Sequence, residues 1–250
     1  MNSPDYSYPQ GLFPSVARDV VLSRRRDFHK DAKACIENLN PPLQILGGEN
    51  IPQHGPCVIT VNHYHRSGFG AQWIAFAIAA RVPINMHWIM TAEFTYPGNW
   101  YEAIGSIGSR ILLKRIAHIY GFTTMPPMPP RAKDVEARAM SVRAVLEYVS
   151  HAKDPILGLA PEGYDPPNGI LTRPFHGLGR FGLLLSKAGL KFIPVGAYES
   201  EGVFHIHFGE PHELNVPRHL SPDEKDNQAS QIIMENIARL LPVQRRGVFA

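Results

Sequence analysis

The segment ITVNHYHRSGFGAQW, residues 59–73, holds two imidazoles at the mouth of an apolar run. A β-branched stretch ends in Asn62-His63, and His65 follows two positions later. A neutral imidazole is matched to taking a proton near pH 7, so either ring can act as a general base. Three readings stand open: the rings are metal ligands, one is a base whose usual partner is missing, or both are incidental. About a hundred residues on, a second apolar run ends in Pro161-Glu162-Gly163, with Tyr164 and Asp165 directly behind it. Loops that leave a rigid sheet are where functional groups tend to sit.

Other chemistries fit less well. On a strand, residues i and i+2 share a face, so the pairs His63/His65 and His205/His207 have zinc-chelating spacing. A metallohydrolase site would continue with Asp-His, however, whereas Arg66-Ser67-Gly68-Phe69 follows here. The second pair lies in VFHIHFGE, which alternates like an edge strand with a polar face. No metal is expected. A serine hydrolase needs a Gly-x-Ser-x-Gly elbow, and GSIGSR at 105–110 lacks it. Cys35 and Cys57 have no metal spacing and read as reduced, buried thiols.

The elements that must position these groups follow from periodicity. Residues 1–14 are a proline-rich arm. Val16, Val20, Val21, Phe28, Ala32, Cys35 and Ile36 predict one helix over about 15–39, with Arg24, Arg25, Arg26 and Lys30 in its middle. That helix is either a packing element with a solvated face or a basic surface that settles on anionic lipid. Strands are expected at 43–46, 57–61, 84–90, 155–160 and 192–197, with an antiparallel strand at 203–208. Helices are expected at 72–81, 101–120, 132–152 and 181–188. In the third of these, Val135, Ala139, Val142, Val145, Leu146 and Val149 form the apolar stripe. MPPMPPR is a stiff, extended connector. Ser221-Pro222-Asp223-Glu224 opens the last helix with a capping box. Strands alternating with helices predict an α/β fold, a mixed sheet flanked by helices, with the site at the carboxyl ends of the strands. The division expected is an arm and basic helix at 1–40, a single main domain at 41–215, and a C-terminal helix packing on it at 216–250.

Composition sets the outer bounds. The chain has 250 residues, 44% of them hydrophobic and 19% charged, which suits one globular domain with a real core. A net charge of +3 and a pI near 8.9 suit anionic headgroups or acidic cofactors and fall short of a nucleic-acid footprint. Pro4, Pro9 and Pro14 replace any signal-peptide core, and the apolar run 69–80 is shorter than the ~20 residues that cross a bilayer. The expected location is cytoplasmic and peripheral to a membrane.

GGENIPQHGPCVITVNHYHRSG resembles the first motif of the glycerolipid acyltransferase family, which includes the lysophosphatidic-acid acyltransferases. There a strand ending in Asn-His follows a G-x-E-N-(L/I)-P-x-x-G-P lead-in. Residues 156–199 resemble that family's Phe-Pro-Glu-Gly block, with Gly169, Leu171 and Phe175 downstream and Ile193-Pro194-Val195 closing it. The likeness runs over about residues 45–200. It implies transfer of an acyl chain from a thioester, acyl-CoA or acyl carrier protein as co-substrate, to the hydroxyl of a lipid or glycerol-type acceptor, with no cofactor. It makes His63 the general base and places Asn62, Pro161, Glu162, Gly163, Tyr164 and Arg173 on the acceptor side. In the functional reading one face of the 69–80 segment lines the acyl tunnel, and in the plainer one it is core.

Two departures stand out. The family orients its histidine with an Asp five positions later, and here that position is Gly68. His65, Glu162 and Asp165 are the alternative orienting or basic groups. The family's Thr-Arg after Glu-Gly, which grips a phosphate, is replaced by Tyr164-Asp165. A carboxylate in that place repels a phosphate dianion, unless Arg110, Lys114, Arg115, Arg131, Arg173 or Arg180 compensates. The acceptor is therefore open, another lipid alcohol or amine, a sugar-lipid or a pigment alcohol included. The rival reading is a catalytically degenerate member that binds acyl chains or scaffolds a lipid enzyme. A metal-dependent hydrolase is the weaker alternative.

Overall fold

Unbroken apolar sequence makes β2 (Cys57–Val61) and β5 (Ile156–Leu159) strands that are buried throughout. They pair in parallel at the centre of the sheet, Cys57 opposite Ile156 and Thr60 opposite Leu159. The computed structural model describes residues 4–95 and 98–250. β6 (Lys191–Ser200) runs parallel to β2 on its other side. β3 (His87–Thr91) lies beside β5, where Gly158 leaves room for the Trp88 indole: a Cβ there would stand 2.4 Å from a ring carbon. β4 (Thr123–Met125) closes one edge, parallel to β3. At the other edge β7 (Val203–Phe208) is antiparallel to β6, and β1 (Gln44–Leu46) pairs with β7. The order is β1-β7-β6-β2-β5-β3-β4.

Seven α-helices flank this sheet among the described residues: α1 (Leu12–Val21), α2 (Phe28–Glu37), α3 (Gln72–Ala79), α4 (Glu102–Tyr120), α5 (Val135–His151), α6 (Leu178–Lys187) and α7 (Pro222–Ala238). The chain is thus a single α/β domain with a mixed seven-stranded sheet. Parallel strands need crossovers, so the carboxyl ends of β2, β3, β5 and β6 gather on one edge. α3 buries Trp73, Ile74, Ala77 and Ile78 against the core, so the apolar 69–80 segment is principally a packing element. The capping box at Ser221 and Glu224 forms as expected. No helix among the described residues is long and apolar enough to cross a membrane.

Three expectations are corrected. The helix read over 15–39 is two helices, because Ser23 takes φ 53° and Asp27 caps α2 through Lys30 N. Arg26 turns inward in that break to pair with Asp19 and Asp31, so the basic triplet is not one lipid-facing stripe. β4 was not expected, since Thr-Thr-Met is too short to show a period. The apolar stripe of α5 packs from Val142 onward, with Val145 and Val149 buried and Val142 and Leu146 partly so; Val135 and Ala139, in the first turns, face solvent.

Candidate active site

The two loops singled out in the sequence meet at the carboxyl edge of the sheet. Asn62 extends β2 by side chain rather than backbone: its amide donates to Ala197 O at 2.9 Å, and its Oδ1 accepts from Ala197 N at 2.7 Å. Both polar ends of Asn62 are therefore committed to β6. Glu162, fully buried, binds the next residue. Its Oε2 accepts from His63 N at 2.8 Å, and its Oε1 accepts from Thr172 N at 2.8 Å and Thr172 Oγ1 at 2.9 Å. Burial pushes the Glu162 carboxyl up from its ordinary value, and the donors from Thr172 and His63 oppose that rise. Glu162 thus joins the β2 and β5 loops through the His63 backbone, not through its ring.

The ring has a different partner. His63 Nδ1 lies 3.2 Å from Asp165 Oδ1, and the other carboxylate oxygen lies 3.7 Å from His65 Nδ1. Hydrogen bonding from His63 holds the Asp165 carboxyl below its ordinary value. An ionised Asp165 accepts, so Nδ1 carries the proton, and in the neutral ring Nε2 is the nitrogen with the free lone pair. Nε2 has no hydrogen-bond partner among the described residues, and the His63 side chain keeps 19% of its surface open to solvent. Position 68, where the orienting Asp was missed, is a left-handed turn with φ 79°. The carboxylate arrives from the opposite loop instead.

No family model and no curated protein matches the chain. Among solved structures, the 1-acyl-sn-glycerophosphate (LPA) acyltransferase PlsC from Thermotoga maritima matches with a TM-score of 0.53 and 15% identity, covering 91% of this chain and 88% of that one. The likeness is one of fold.

The remaining expected residues are placed variously. Tyr164 donates to Thr172 Oγ1 at 2.9 Å. Gly163 takes φ 72° and lies under Met128, whose Cγ would stand 2.7 Å from an added Cβ. Pro161 is buried and Arg173 is exposed. Arg110 and Arg131 both close on Glu93, and Arg180 on Asp223. Lys114 and Arg115 are exposed with no ion pair among the described residues. His205 and His207 are hydrogen-bonded to separate carbonyls, those of Val203 and Leu240. Among the described residues no group of three or more His, Cys, Asp or Glu is arranged to hold a metal ion.

Several residues at the site went unread. Glu199, at the end of β6, accepts from Arg66 Nε at 2.5 Å and Nη2 at 2.9 Å, from Tyr64 at 3.1 Å and from Tyr6 at 2.5 Å. Arg245 stands 5.2 Å over the Tyr64 ring and donates to Asn168 O. Tyr64, His65, Arg66, Ser67, Asn168 and Arg245 line a shallow, open concavity of about 510 Å³. These groups come from five separate stretches of chain, and no spacing rule links them. The one signal available was the carboxylate of GAYE at the end of a predicted buried strand.

Proposed function

We propose that this protein is an acyltransferase that moves a fatty acyl chain from a thioester, acyl-CoA or acyl carrier protein, to a lipid hydroxyl, with His63 as general base. The observation that carries this reading is the His63–Asp165 contact, 3.2 Å long, on a partly open ring. The fold shared with an LPA acyltransferase supports the reaction class. Asp165 fixes the tautomer and stabilises the imidazolium that forms, as the carboxylate of a catalytic triad does. Nε2 takes the acceptor proton as the hydroxyl oxygen attacks the thioester carbonyl; the C–O bond forms, the C–S bond breaks, and the imidazolium returns the proton to the leaving thiolate. No acyl-enzyme is needed. Burial pushes the thiols of Cys35 and Cys57 up to about 12, so neither is a nucleophile at neutral pH.

Pro161, Gly163, Tyr164 and Arg173 belong to the acceptor side in this reading, with Glu162 and Asn62 setting the loops that carry them. The acceptor lies at an anionic membrane surface on the cytoplasmic side, where the enzyme is peripheral. Incubating the protein with labelled acyl-CoA or acyl carrier protein and a total lipid extract, then weighing the products by mass spectrometry, tests enzyme and acceptor together. A new acyl ester is expected, and His63→Ala should abolish it with an unchanged melting temperature. If the wild type binds acyl-CoA but yields no ester with either donor, the chain is an acyl-binding protein and the catalytic reading fails.

A further inference from the structure

The outer face of α4 is apolar and uncovered. Ile104, Ile107 and Ile111 recur at helical spacing and are 75%, 58% and 54% exposed, and a Cβ at Gly108 between them would meet nothing. Trp100, just before the helix, is 92% exposed, and Phe94, whose backbone meets Ser106 and Ser109 of α4, is exposed as well. So much contiguous apolar surface in water marks a contact surface. Its border is basic: α4 carries Arg110, Lys114 and Arg115 against the single acid Glu102, and Arg25 donates to His118 O at its far end.

Side-chain contacts link this face to the mouth of the site. The buried Glu93 carboxylate ties Arg110 of α4 to Arg131, just past the proline-rich connector. That connector lays Met128 over Gly163, beside Glu162. α4 starts at the carboxyl edge of the sheet, the edge that carries His63, because it follows β3 and leads back to the parallel β4.

We infer that the α4 face, anchored by Trp100, docks on an anionic lipid bilayer and sets the His63 cleft at headgroup level. An amphipathic helix with aliphatic and indole groups on one side and exposed bases beside them binds lipid surfaces by burial plus charge. A second copy of this chain fits poorly, since two such faces would bring their excess base together. The inference deepens the acyltransferase reading by naming the surface that delivers the lipid, and it places docking on α4 rather than on a basic N-terminal helix.

Vesicle binding of the full chain tests it without turnover. Trp73 and Trp88 are buried, so Trp100 is the indole free to report a change of medium. Vesicles of phosphatidylcholine mixed with phosphatidylglycerol should co-sediment the protein and shift its fluorescence to the blue; vesicles of phosphatidylcholine alone should do so much less. Trp100→Phe should remove the shift. Ile104→Glu with Ile107→Glu should cut the partition coefficient at least tenfold. Lys114→Ala and Arg115→Ala should each weaken binding to the anionic vesicles by about five-fold, and added salt should do the same. His63→Ala should bind as the wild type does, so failed catalysis and failed docking are distinguishable. The inference is overturned if wild type ignores both vesicles, or if binding survives the α4 changes and is lost with Phe13→Glu and Val21→Glu on α1. It is also overturned if Ile107→Glu abolishes self-association and vesicles are ignored.

Discussion

At the scale of single residues, the carboxylate that meets the His63 ring comes from across the fold rather than from along the chain. Gly68 stands where an orienting Asp was sought, and Asp165 reaches His63 Nδ1 from the β5 loop. If Asp165 fixes the His63 tautomer, Asp165→Asn should lower kcat by roughly 10²–10⁴-fold with KM little changed. Its side chain is 46% exposed, so the melting temperature should stay put. A kcat within a factor of two of wild type would remove Asp165 from the mechanism. Its depressed pKa gives the sign of the pH effect: the carboxylate stays charged above its ordinary value of 3.8, and its pairing is lost only as pH falls below that. Losses of activity between pH 5 and 7 should therefore persist in Asp165→Asn. The thiols give a second check. Cys35 and Cys57 should resist a disulfide reagent at pH 8 in the folded protein, and both should react in denaturant. His63, Glu162 and Asp165 were all legible in the sequence as residues of interest. Which carboxylate met which nitrogen was not, because that depends on how two loops a hundred residues apart close on each other.

At the scale of elements, strong local signals were readable and weak ones were not. CVITV and ILGL announce buried strands because nothing polar interrupts them. Thr-Thr-Met is a strand only because β3 and the start of the connector hold it, with Ala92 N donating to Met125 O at 2.7 Å. The break between α1 and α2 was hidden by apolar residues that keep helical spacing on both sides of it. The inward turn of Arg26 fixes that break. Its guanidinium donates to both oxygens of Asp31, each at 2.8 Å, and also reaches Asp19. Tyr120 of α4 donates to Asp31 at 2.8 Å as well, so the cluster locks α1 and α2 to α4. Arg26→Met should leave the buried Asp31 with only the Tyr120 hydroxyl and Asp19 with only Arg18, and loss of the cation beside Asp31 should cost about 2–4 kcal/mol. At the size of this chain that is a fall of roughly 5–10 °C in Tm, measurable by calorimetry. Asp19→Asn with Asp31→Asn in the same background should recover part of it, since the stranded charge is the larger penalty.

At the scale of the whole molecule, both ends of the chain converge on the edge that carries the site. The N-terminal arm reaches it through Tyr6 and Glu199, and the segment after α7 reaches it through Arg245. Residues 160–177 include a single 3-10 turn and no longer element, so something outside them must hold Thr172 and Asp165 in place. Glu162 does part of this. The C-terminal tail does the rest: Leu171 N donates to Arg245 O at 2.9 Å, Arg245 also donates to Asn168 O, and Gly247 lies against Leu171 O so closely that a Cβ would stand 2.2 Å from it. Removing residues 243–250 should therefore leave the sheet and its core intact and let the Asp165 loop drift. Misplacing a catalytic partner by about 1 Å costs on the order of a hundredfold in rate. The truncated chain should lose about tenfold to a hundredfold in kcat with a small change in Tm. Arg245→Ala keeps the tail and its backbone bond to Leu171, so it should lose much less. Equal losses in the two variants would mean that the guanidinium, seated over Tyr64 in the concavity beside His65, matters in its own right. No loss in either would mean that Glu162 alone positions the loop.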